Sequence, residues 1–297
     1  MKPPAILYKY VSVETARKIF LSQKIRFQSP LQYNDPFDTQ WDALWPLSTK
    51  EAIEYDQLIM EQAIRDPSSW PNDISQRSRF ALYKDWSRIQ GLPKEQREKA
   101  IAEFVKVTTE KQGMPKKEAE YLRDIQRRLR LLCLTENERS ILMWSHYGDQ
   151  HRGVVLGFNT SLMEGGLQRP LERIKYHNEL PRLVDHKEWS RAIAFGLQKS
   201  GLVGDHAIEW ALTKHLDWAY EREWRFLTIA KQGAIGEYED FLIPQDSLVE
   251  LVIGCRTGKK ESAELLSHVR TFAPDIQHYR VKQHASRFEL NKLKLNT

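Results

Sequence analysis

A change of periodicity along the chain constrains its fold more than any other feature. Residues 5–30 read as strand, helix and strand, residues 48–128 as helix after helix, and residues 129–282 as short β-rich runs broken by helices. Strands and helices are therefore mixed without the strict alternation of a doubly wound sheet. That pattern predicts an α+β fold: a mixed, mainly antiparallel sheet core carrying a large helical insertion. The 297 residues suit a single α+β domain over 1–297, with the insertion or subdomain at 48–128.

Local signals support this division. AILYKY alternates as a strand, and VSVETARKIFLSQ places Val13, Ala16, Ile19 and Phe20 at helical spacing behind a capping Ser12. KIRFQSP is a second strand ended by Pro30. In the helical stretch Ser48 and Glu51 have capping-box spacing, and Pro93 and Pro115 fall in first turns. PKKEAEYLRDIQRRLR is a further helix, and Leu122, Ile125, Leu129 and Leu132 are spaced as one buried face, which puts the arginines of QRRLRL on the wet face of the same helix. Strands follow at LRLLCLTE, GVVLGFN, LERIKYH, EWRFLTIA and LVELVIGC, with helices near 185–199, 205–218 and 259–272. IQHYRVK is the expected last strand and NKLKLNT a frayed tail.

Composition narrows the function classes. Hydrophobic residues make up 41%, which predicts a packed globule. Forty-five basic against 40 acidic residues give a net charge of +5, compatible with a nucleotide or nucleic acid as partner. Cys133 and Cys255 sit in apolar runs and read as buried thiols, too few for a disulfide framework or a cysteine zinc site. No signal-peptide pattern opens the chain, and no apolar run reaches the ~20 residues a membrane span needs. A cytoplasmic protein with no membrane partner is expected. G-x-G-x-x-G, H-E-x-x-H and G-x-S-x-G are missing, and GCRTGKK lacks P-loop spacing.

Three polar motifs stand out. SPLQYNDPFD restricts its backbone through Pro30 and Pro36 and presents Ser29, Tyr33, Asn34, Asp35 and Asp38 from a rigid turn. MWSHYG gathers Trp144, Ser145, His146 and Tyr147, able either to stack a planar ring or to pack in the core. His146 and His151 match no metal-ligand spacing, and no metal is expected. YEREWRF sets Glu221 and Glu223 two apart, so in a strand both carboxylates share a face, Arg225 joins them, and Arg222 and Trp224 face away. Two carboxylates on one face are exposed, paired with cations or used in chemistry. The alternative is a solvated edge strand.

Together LYKY, the strand ending in SP before YNDPFD, WSHYG and YEREWR resemble the prokaryotic family known as domain of unknown function 2971. The opening strand–helix–strand is similar, more distantly, to ADP-ribosyltransferase folds. That resemblance implies NAD as co-substrate, Lys9 at a basic first-strand position usually held by His or Arg, and Ser29 at the second-strand position. It implies Glu223 and Glu221 as the catalytic pair, with Tyr8, Tyr10 or Tyr147 against the nicotinamide and Arg225 at a phosphate. On that reading Glu223→Gln abolishes turnover with little loss of stability. Two other classes fit the same residues. One is a metal-dependent nuclease using Asp35, Asp38, Glu221 and Glu223, with Lys9 at a phosphate. The other is a non-catalytic nucleotide- or nucleic-acid-binding module of a phage-defence or toxin system.

Overall fold

The structure, a computed structural model, describes residues 2–39, 50–72, 74–110, 123–169, 171–181, 191, 195, 204–231, 236–244 and 246–295. Its elements run β1 (Ile6–Val11), α1 (Val13–Ser22), β2 (Lys24–Gln28), α2 (Lys50–Arg65), α3 (Gln76–Gln90), α4 (Lys94–Glu110) and β3 (Leu129–Thr135). Then come α5 (Ile141–His146), β4 (Val154–Asn159), α6 (Thr160–Leu167), β5 (Leu171–Arg173), β6 (Lys175–His177), α7 (Gly204–Ala211) and β7 (Thr213–His215). The chain ends through β8 (Glu223–Ile229), β9 (Tyr238–Leu242), β10 (Leu248–Ile253), α8 (Lys259–Phe272), β11 (Gln277–Gln283) and β12 (Leu290–Lys294). Two compact units result. One comprises residues 1–39, 126–179 and 212–297, and the other 40–125 together with 180–211.

The first unit is built on a ten-stranded sheet, ordered β12-β11-β10-β4-β1-β3-β2-β9, with β8 beside β3 and β5 beside β8. Only β10 and β11 pair in parallel; the other pairs in this sheet are antiparallel. The fold is thus α+β with a mainly antiparallel sheet. One face buries Leu7, Val11, Phe27, Leu132, Leu134, Trp224 and Phe226 with α1 and α8 residues Ala16, Phe20, Leu265 and Val269. The other buries Tyr8, Tyr10, Trp144, Val155, Val252 and Leu290. Alternation along β1 sends Leu7 and Val11 to the first face and Ile6, Tyr8 and Tyr10 to the second. Ser12 caps α1 by accepting from Thr15 N at 3.1 Å. Gly157 lies opposite Tyr8 in the β1–β4 register, and a Cβ there would come within 3.0 Å of the Tyr8 ring.

One irregularity of this sheet makes the site. β3 pairs with β8 along its whole length, from Leu129↔Ile229 to Thr135↔Glu223. On its other edge it meets β1 only at Tyr8↔Thr135 and β2 only at Gln28↔Leu131. β1 and β2, joined by α1, therefore diverge around Cys133 and leave a fork in the sheet.

In the second unit α2, α3 and α4 enclose Met60, Ala63, Ile64, Trp70, Leu82, Ile89, Ile101 and Val105, joined by Phe195. The Trp70 indole N–H donates to Ala63 O at 2.7 Å, satisfying its one polar atom. Among the described residues no helix is long and apolar enough to cross a membrane.

Several sequence expectations are corrected. The expected helix 205–218 is α7, then the short strand β7, then a 3-10 turn over Leu216–Glu221. Residues 291–294 of the expected frayed tail NKLKLNT are strand, since β12 pairs with β11 from Tyr279↔Lys294 to Gln283↔Leu290. LERIKYH splits into β5 and β6, which pair with different partners. The helix before β3 ends at residue 128, and Arg130 is buried in β3, donating to Leu129 O and Gly236 O. Ser48, Pro115, Leu122 and most of the expected helix 185–199 lie outside the described residues.

Candidate functional site

The fork opens into a cavity of about 610 Å³, a size suited to a nucleotide-scale ligand. Side chains from β1, α1, β2, the YNDPFD turn, β3, β7 and β8 line it. At its floor lies a buried ionic cluster: Asp38, Lys214, Glu221, Glu223 and Arg225, each at most 8% exposed. Arg225 is fully buried and forks onto Asp38, with Nη1 to Oδ1 at 2.9 Å and Nη2 to Oδ2 at 2.6 Å. Its Nε also donates to Glu223 Oε1 at 2.7 Å. Lys214 Nζ donates to Glu221 Oε2 at 2.6 Å and Glu223 Oε2 at 3.2 Å, and lies 3.6 Å from Asp38 Oδ2. Tyr147 Oη donates to the remaining oxygen of Glu221 at 2.7 Å.

Three carboxylates thus face two cations directly, and Lys9 is a third cation in the same cavity. Burial alone would neutralise such groups. For Glu223 burial opposes the charge, yet Arg225 and Lys214 outweigh it and hold its carboxyl well below the usual range. Burial dominates at Glu221 and raises its pKa, with Lys214 offsetting only part. Lys214 is likewise desolvated, but Glu223, Asp38 and Glu221 keep it firmly protonated. Two neighbouring glutamates therefore lie on opposite sides of the ordinary value, the pattern by which enzymes separate acid–base roles.

Lys9 reaches into the fork and donates to Cys133 O at 3.4 Å, and burial lowers its pKa. Cys133 faces the cavity beside Tyr33, with Oη 3.1 Å from Sγ, and burial pushes its thiol up to about 12. It is a protonated thiol that forms part of the cavity wall.

Of the residues singled out in the sequence, Tyr8, Lys9, Tyr10, Asn34, Asp38, Tyr147, Glu221, Glu223 and Arg225 line this cavity. Ser29, Asp35, Trp144, Ser145 and His146 do not. The buried Ser29 hydroxyl accepts from Leu31 N at 3.4 Å and caps a 3-10 turn. Asp35 accepts from Phe37 N at 2.8 Å and shapes the YNDPFD turn. Trp144 is core, stacked edge-on against Tyr10 at 5.3 Å with its indole N–H on Glu138 O. Ser145 donates to Ile141 O, and His146 is exposed on the outer side of α5. Arg225 has its guanidinium committed to Asp38 and Glu223, so it orients carboxylates instead of meeting a phosphate. Glu223→Gln can no longer be expected to cost little stability, because removing one partner of a buried ion pair costs about 3–5 kcal/mol. Among the described residues no group of three or more His, Cys, Asp or Glu side chains is arranged to hold a metal ion.

The edge-strand alternative for YEREWRF is corrected, since β8 lies between β3 and β5. Sequence reasoning missed Lys214 and Tyr176. The available signal was a lysine inside the largely apolar WALTKHL run, to which the helical reading of 205–218 gave no role. Tyr176 Oη accepts from Glu223 N at 2.8 Å and fixes the start of β8.

Comparison with known proteins gives a family match over part of the chain. Residues 143–226 match the family described as protein of unknown function (DUF2971). The DUF2971 match runs from Met143 to Phe226 and so contains Tyr147, Tyr176, Lys214, Glu221, Glu223 and Arg225, while Lys9 and Asp38 lie outside it. No curated protein and no solved structure matches the chain.

Proposed function

We propose that this protein is a nucleotide-handling enzyme that transfers ADP-ribose from NAD in the manner of ADP-ribosyltransferases. The observation that carries the reading is the Glu223 carboxylate held at the floor of the cavity by Arg225 and Lys214, two cations that favour its ionised form. Breaking the bond between nicotinamide nitrogen and ribose C1′ sends the electron pair to the ring and leaves an oxocarbenium-like cation. A preorganised carboxylate in a poorly solvated site stabilises that cation far better than water does. Glu223 holds the ribose hydroxyl and faces the cation. Glu221, with its raised pKa, takes the proton of the attacking acceptor. Tyr8, Tyr10 and Tyr147 supply ring faces for the nicotinamide, and Lys9, which reaches into the fork, supplies a cation for the NAD contact.

The test is nicotinamide release from NAD by the full chain, compared with Glu223→Gln and Glu221→Gln variants whose folding is checked by circular dichroism. Release is expected from the wild type, falling about 10³-fold in folded Glu223→Gln. Saturable NAD binding with no product would favour the binding-module reading. Unchanged release by folded Glu223→Gln removes the assignment.

A further inference from the structure

Lys214 and Tyr176 lie outside the motifs that mark the cavity, yet both bond its carboxylate segment. They are register partners: β6 and β7 pair in parallel as Lys175↔Thr213, Tyr176↔Lys214 and His177↔His215. Two three-residue parallel strands contribute little stability alone. Their contribution here is placement.

Arg225 engages Glu223 and Asp38, whereas Lys214 engages both glutamates. Lys214 is also seated 4.7 Å from the centroid of the Trp218 ring. On the same register step, Tyr176 takes the backbone N–H of Glu223. One side chain from each strand thus fixes the catalytic pair, one through charge and one through the main chain. The chain leaves β6 at His177 and returns in β7 at Thr213, so two strands far apart in sequence meet at the carboxylates.

We infer that the β6–β7 pair is a clamp and that Lys214 and Tyr176 are its positioning residues, setting the separation and orientation of Glu221 and Glu223. Their role in turnover rests on the transferase reading; their hold on the carboxylates does not. The groups facing Lys214 are Asp38, Glu221, Glu223, Arg225 and the Trp218 ring, with Tyr147, Tyr176 and Tyr220 around the two glutamates.

The test reads the carboxylates directly. Glutamate carboxyl titrations by ¹³C NMR on the full chain are compared for wild type, Lys214→Met, Lys214→Arg and Tyr176→Phe, with nicotinamide release followed over the same pH range. In Lys214→Met both glutamate titrations are expected to move up by about 1–3 pH units, because an opposite charge within hydrogen-bond reach is gone. The acid limb of the rate profile should move with them, and Lys214→Arg should return both toward wild type. Tyr176→Phe keeps every charge, so it folds even if Lys214→Met does not. Its kcat should fall about 10- to 100-fold with KM little changed, as for a displaced catalytic group, and the Glu223 resonance should shift. Glutamate titrations in Lys214→Met that match wild type, or a Tyr176→Phe variant with wild-type kcat and resonances, overturn the clamp. A wild type that releases no nicotinamide defeats the transferase reading alone, since the titrations still report on Lys214.

Discussion

Arg222 sits between two buried glutamates in the left-handed region, at φ 48° and ψ 51°. Strand alternation had put Glu221 and Glu223 on one face, and they do converge, but for another reason. Glu221 closes the 3-10 turn and Glu223 opens β8, and the left-handed residue between them turns the chain so that both carboxylates reach Lys214. An L-residue held there costs about 1–2 kcal/mol relative to right-handed backbone. Arg222→Gly is therefore expected to keep stability within about 1 kcal/mol of wild type, glycine being indifferent to positive φ. Arg222→Val should lose about 1–3 kcal/mol, since a β-branched side chain tolerates that conformation worst. Urea unfolding of the two variants checks this, and equal stabilities would mean the bend relaxes without strain. The residue scale was half legible in sequence: the motif was visible, while the bend that orders it depends on where β8 begins.

At the scale of elements, legibility followed burial. β4, with the pattern VVLGFN, and β8, with EWRFLTI, are enclosed by strands on both sides and carry the apolar runs that betray a strand. β9, with YEDFL, is an exposed edge strand paired only to β2, and nothing in its polar sequence demands pairing. β7 is three residues whose lysine is buried by ion pairing, an environment no local pattern encodes. The fork was invisible because it follows from which part of the edge of β3 lacks a partner, a property of three strands at once. β12 is the instructive miss. LNKLK looks like a polar tail, but Leu290 is buried against the Tyr8 layer and Lys292 bonds Glu250 at 2.5 Å. Leu290→Ala should thus cost about 2–4 kcal/mol, as for other buried leucines. Denaturant midpoints measure it, and a loss under about 0.5 kcal/mol would return β12 to the status of a dispensable end.

For the whole molecule, the ionic floor predicts how folding responds to acid. Glu223 has a folded pKa depressed below its unfolded value of about 4.3, so between the two the unfolded chain binds the extra proton. Its stabilisation is present above that unfolded value and is lost as pH falls toward the folded one. Glu221 has the opposite sign: burial raises its folded pKa, so its contribution is present at low pH and is lost as pH rises past about 4.3. Each group changes the slope of stability by up to about 1.4 kcal/mol per pH unit within its own window. The two variants should therefore bend the stability profile in opposite directions. Glu223→Gln flattens the loss of stability below about pH 4. Glu221→Gln steepens the rise above it, because a group that resisted ionisation in the fold is gone. Because slopes are compared, the fixed cost of breaking the buried network drops out of the test. Denaturant midpoints between pH 3 and 6 supply the slopes, a range set by the carboxylate window of about pH 3–6. Parallel profiles for wild type and Glu223→Gln would mean that Arg225 and Lys214 do not hold Glu223 ionised, and the proposed transferase reading would lose the charge it rests on.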